Sequence, residues 1–82
     1  MSDKSFHILI VEDEIKIAEI LSDYLSQAGF SVSHKDSGDG VVALVKSTPP
    51  DLILLDVMLP GVDGLEICKE VRKFSAVPII MI

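Results

Sequence analysis

Three short stretches of this chain are almost wholly apolar: FHILIV at residues 6–11, LILL at 52–55 and VPIIMI at 77–82. Each is far too short to cross a bilayer, which takes about 20 apolar residues. None shows the strict alternation of a strand wetted on one face, so each reads as a strand buried on both faces. Strands of that kind need helices above and below them, which is the arrangement of a parallel sheet.

The intervening segments supply those helices. From Ile15 the apolar residues Ile17, Ile20, Leu21, Tyr24, Leu25 and Ala28 recur at helical spacing, and Gly29 is placed to end the helix. A weaker strand at 30–35 alternates apolar and polar residues, as expected nearer a sheet edge. After the turn Ser37-Gly38-Asp39-Gly40, a short helix at 41–46 is closed by Pro49-Pro50. The loop 57–63 holds Pro60 and Gly61, and a helix at 65–74 has Leu65, Cys68 and Val71 as its apolar stripe. The predicted order is β-α-β-α-β-α-β, an α/β fold with right-handed crossovers.

With 82 residues, 49% of them hydrophobic and 5% aromatic, the chain makes one small domain. A chain so short buries about 60% of its unfolded surface, which raises the prospect of an incomplete fold or an obligate partner. The 13 acidic and 7 basic residues give a net charge of −6, the wrong sign for binding nucleic acid through phosphate. The N-terminus lacks the apolar core of a signal peptide, so a cytoplasmic location with no membrane association is expected. The lone Cys68 argues against an internal disulfide or a structural zinc site.

Ligands of open parallel sheets gather beyond the carboxyl ends of the strands. Here those ends carry acids: Glu12 and Asp13 follow the first strand, and Asp56 follows the third. If these strands are neighbours, the carboxylates converge, and such a cluster either raises a pKa or holds a hard cation, best matched by Mg²⁺. A dinucleotide site is excluded because the turn VEDEIK has no glycine. With a cation present, Asp56 at the strand tip is the best-placed nucleophile for aspartyl-phosphate chemistry. Glu14 reads as a first-turn acid and Asp63 as a helix cap. His7 and His34 are expected to lie far from the acidic rim, and Cys68, Met58, Met81 and Phe74 read as packing residues.

The series ILIVEDE, PPDLILLDVMLPGVDGLEICKEVR and VPIIMI resembles the receiver domain of two-component response regulators, in particular the winged-helix, OmpR-type subfamily. The acidic pair, the Asp some forty residues later and the LPG-x-DG that follows form a specific set spanning essentially the whole chain. The resemblance implies a flavodoxin-like, CheY-like sheet in which the first and third strands are adjacent. It also implies that Asp56 is the phosphoacceptor and Asp13 a direct Mg²⁺ ligand. Glu12 would act on the ion through water, and the backbone carbonyl of Met58 would be a further ligand. The donor would be a phosphohistidine on a sensor histidine kinase. The module would be a signalling domain, not an enzyme, and would control transcription through a DNA-binding domain absent here.

Family members have five strands, so residues 1–82 correspond to the N-terminal part of a receiver, ending after the fourth strand. The Ser or Thr after that strand and the Lys that ends the fifth are absent. VPIIMI is then expected to be an exposed edge that favours self-association or strand exchange. Two other readings remain beside the receiver. One is a switch-dead, self-associating structural module. The other is a haloacid-dehalogenase-like phosphatase with an Asp nucleophile, which would want a second Asp where this chain has Met58.

Overall fold

The computed structural model describes residues 6–82. The elements are β1 (His7–Val11), α1 (Ile15–Gln27), β2 (Ser31–Lys35), α2 (Val41–Ser47), β3 (Leu52–Leu55), α3 (Gly64–Arg72) and β4 (Ile79–Met81). All strand pairings are parallel and the sheet order is β2-β1-β3-β4, so the first and third strands are neighbours.

The pleat of β1 explains its unbroken apolar run. Leu9 and Val11 point to one face, where they meet Val41 and Val45 of α2, Ile67 and Val71 of α3, and Ile53 and Leu55 of β3. Ile8 and Ile10 point to the other face, against Ala18 of α1, with Leu21, Leu25, Phe30 and Leu54 packed around them. Both faces are therefore dry at the centre of the sheet. The more polar β2 is an edge strand, as its alternation implies.

Gly29 ends α1 at φ 99°, and the amides of Gly29 and Phe30 return to the carbonyls of Ser26 and Leu25 at 3.0 and 3.1 Å. This is the left-handed C-terminal motif that glycine allows.

The helix faces differ from expectation. On α1 the buried contact is Ala18, flanked by Leu21 and Leu25, whereas Ile17, Ile20 and Tyr24 are 44%, 68% and 77% exposed. The apolar stripe is wider than the surface that covers it, and the small Ala18 sits where the helix approaches the sheet. On α3 the buried residues are Gly64, Ile67 and Val71. Leu65 is exposed and Cys68 is half-buried. That helix also starts at Gly64 and ends at Arg72, short of the expected residue 74.

The β4 strand is shorter than residues 77–82 and only half-buried, because it forms the second edge of the sheet. Pro78 precedes it and contributes only its carbonyl, which accepts the Ile53 amide at 3.0 Å. Among the described residues, no helix is long and apolar enough to cross a membrane.

Candidate functional site

The carboxyl ends of β1 and β3 lie side by side, with Val11 in register with Leu55. The next residues inherit that alignment. The Glu12 amide continues the ladder to the Lys35 carbonyl at 3.0 Å, and the Asp56 amide reaches the Val11 carbonyl at 2.9 Å. Main-chain hydrogen bonds on both strands thus place the acids before any side-chain interaction operates. One carboxylate oxygen from each of Glu12, Asp13 and Asp56 falls in a group whose members all lie within 4.8 Å of one another.

The three acids differ in environment. Glu12 is 5% exposed, the one buried charged residue among those described, while Asp56 is half-buried and Asp13 is exposed. Burial pushes the Glu12 carboxyl above its ordinary value of 4.5. A hydrogen bond from the Glu14 amide to Glu12 Oε2, 3.0 Å long, partly opposes this. The neighbouring carboxyl groups of Asp56 and Asp13 push it up further. Among the described residues the only ion pair is Lys73–Glu70, at the C-terminal end of α3, so no lysine or arginine bridges to the cluster.

The loop after β3 fixes the Asp56 side chain. Its Oδ1 accepts the Met58 amide at 3.0 Å, and the Gly64 amide donates to the Val57 carbonyl at 3.0 Å. Asp63 caps α3 as expected, its Oδ1 accepting the Leu65 amide at 2.9 Å. Asp13, Asp63 and residues 57–61 line an open concavity of about 550 Å³ beside the acids. Met58 lies on its wall with a side chain that is 83% exposed. The packing role expected for that side chain is therefore not what the structure shows.

The donor set fits a hard divalent cation. It is all oxygen, among the described residues no lysine or arginine forms an ion pair with it, and it opens onto solvent at Asp13.

One histidine lies closer than expected. His34 Nε2 stands 2.8 Å from the Glu12 carbonyl oxygen, which can only accept, so that ring nitrogen carries the proton. His7 is at the opposite end of its strand, its ring between the hydroxyls of Ser31 and Ser33 at 3.1 and 3.0 Å.

Gly64, which the sequence suggests only as part of the cap of the third helix with Asp63, also lies against the main chain of Asp56. A Cβ built there would overlap the Asp56 carbonyl oxygen and stand 3.0 Å from Asp56 C and Val57 Cα. The available signal was a glycine directly after a capping aspartate, at the start of the helix that follows Asp56.

The chain belongs to the response regulator receiver domain family, whose model matches residues 8–82. It is thus a signalling domain of the two-component systems, a family that binds Mg²⁺ at an acidic cluster and interacts with sensor histidine kinases. Among characterised relatives it is similar to the transcriptional regulatory protein BaeR of Escherichia coli O6:H1 (strain CFT073), at 55% identity over 75 residues. That match covers 92% of this chain and 31% of the relative, so the chain spans about a third of BaeR's length.

Solved structures agree on the fold. The BeF3-activated N-terminal receiver domain of Klebsiella pneumoniae RstA superposes with a TM-score of 0.86 at 33% identity, over 92% of this chain and 64% of that one. The N-terminal domain of a response regulator receiver protein from Methanoculleus marisnigri JR1 gives 0.86 at 30% identity, over 95% and 66%.

Proposed function

We propose that this module accepts a phosphoryl group on Asp56 from a phosphohistidine of a sensor histidine kinase. Mg²⁺ would be held by Asp13, Asp56 and the Met58 backbone carbonyl, with Glu12 acting through water. In a longer parent protein the event would control transcription through a C-terminal DNA-binding domain. The observation that carries this reading is the convergence of the three carboxylates within 4.8 Å at the ends of two adjacent central strands.

The chemistry follows from the residues. An Asp56 carboxylate oxygen attacks phosphorus, forming an O–P bond as the P–N bond to the donor imidazole breaks. The bonding pair leaves with the imidazole nitrogen. The Met58 amide orients the attacking carboxylate, and the Asp56 amide anchors it to β1. A bound divalent cation supplies positive charge where phosphoryl and carboxylate charges crowd. The concavity beside Asp13 is open to solvent, as a site that receives its phosphoryl group from another protein requires.

The test is incubation with acetyl phosphate, with Mg²⁺ or with EDTA, followed by intact-mass spectrometry. Here the P–O bond to acetate breaks in place of the P–N bond. A single phosphoryl adduct that needs Mg²⁺ supports the reading; no adduct under either condition defeats it.

An Asp-nucleophile phosphatase is less favoured, because position 58 offers a methionine instead of an acid.

A further inference from the structure

We propose that Gly64 is a positioning residue for the acceptor site, its missing side chain allowing the first turn of α3 to press against the main chain of Asp56. This inference rests on the reading of Asp56 as the phosphoacceptor. Gly64 is the first residue of α3 and, unlike Gly29, Gly40 and Gly61, does not have a positive φ. Conformation therefore gives no reason for glycine there. The reason is steric. A Cβ would meet the Asp56 carbonyl oxygen, Asp56 C and Val57 Cα, all backbone atoms that cannot rotate aside as a side chain would.

The surroundings decide what would yield. Ile67 and Val71 hold α3 in the core, and Asp63 holds its first turn. The Asp56 amide is tied to Val11 at 2.9 Å. The looser links are the 3.3 Å bond from the Val57 amide to the Ile82 carbonyl and the turn from the Met58 amide to Asp56 Oδ1. A methyl group at position 64 therefore displaces residues 56–58, the segment that carries the acceptor carboxylate and the Met58 carbonyl. The same contact that excludes a side chain thus aims the carboxylate.

The experiment compares Gly64→Ala with Val71→Ala, which loosens the same helix without touching residues 56–58. Both are assayed where circular dichroism shows them folded. Adduct formation from acetyl phosphate with Mg²⁺ should slow by at least about tenfold in Gly64→Ala, because small misplacements of a reacting group are costly. In Val71→Ala it should stay close to wild type despite a lower Tm. The Met58 amide resonance in ¹H–¹⁵N spectra should move in the first variant and not in the second.

Equal rates in the two variants with an unmoved Met58 resonance would overturn the proposal. If the wild type itself forms no adduct, the phosphoacceptor reading fails, and the Met58 resonance still decides whether Gly64 positions the loop. If Gly64→Ala unfolds, the comparison is repeated in trimethylamine N-oxide, which restores compact states.

Discussion

Replacing Asp13 with asparagine should reverse its effect on stability according to whether a divalent cation is present. The carboxylate oxygens of Glu12, Asp13 and Asp56 lie within 4.8 Å of one another. Two unit charges at that separation repel by about 1 kcal/mol in water and by roughly 3 kcal/mol at an effective dielectric constant near 20. Asp13 is exposed, so the lower figure applies. Removing its charge while keeping its shape should stabilise the ion-free protein by about 1 kcal/mol, or roughly 4–8 °C in Tm for a domain of this size.

Mg²⁺ inverts the order. At a concentration of about 100 times its Kd, an ion that binds only the folded state adds roughly 2.7 kcal/mol to the wild type. Asp13→Asn has lost a ligand and gains much less. Thermal melts of both proteins in EDTA and in excess Mg²⁺, followed at 222 nm, should therefore cross. Parallel shifts in the two buffers, or a variant less stable than wild type in EDTA, would refute the reasoning that the carboxylates repel and share an ion.

Other expectations follow from neighbouring residues. The raised Glu12 carboxyl holds its proton more tightly in the folded than in the unfolded chain. Its contribution to stability is therefore full below about 4.5 and is lost as pH rises through the folded value. In EDTA the wild type should lose more stability than Glu12→Gln over that rise, and identical pH profiles would contradict the assignment. Asp63→Ala removes the cap on the Leu65 amide and should cost about 1 kcal/mol in urea melts. Leu55→Ala, at a fully buried position of β3, should cost roughly 2–5 kcal/mol, and a loss below 1 kcal/mol would show that the α3 face of the sheet is not the core.

The acidic site was legible because its cause is itself a sequence pattern. Strands buried on both faces must be apolar throughout, so the residue at which an apolar run stops marks the strand end, and Glu12, Asp13 and Asp56 stand there. The adjacency of β1 and β3 came from the family resemblance, since spacing alone leaves strand order open. Helix faces were less legible. The apolar residues of α1 span more than one face, and periodicity does not say whether Ile17, Ile20 and Tyr24 or Ala18, Leu21 and Leu25 meet the sheet. On α3 the inward face carries Gly64, Ile67 and Val71, whereas periodicity equally allows the stripe Leu65, Cys68 and Val71. The contact of His34 with the Glu12 carbonyl was invisible for another reason: its acceptor is a backbone atom, identical at every position.

The most direct test is side-by-side intact-mass spectrometry of this chain and Asp56→Asn after incubation with acetyl phosphate and Mg²⁺. The phosphoacceptor assignment predicts one phosphoryl adduct on the wild type and none on the variant. An adduct of equal yield on both would place the chemistry elsewhere, and no adduct on the wild type while Mg²⁺ still binds would mean that the acidic cluster of this chain does not by itself support transfer.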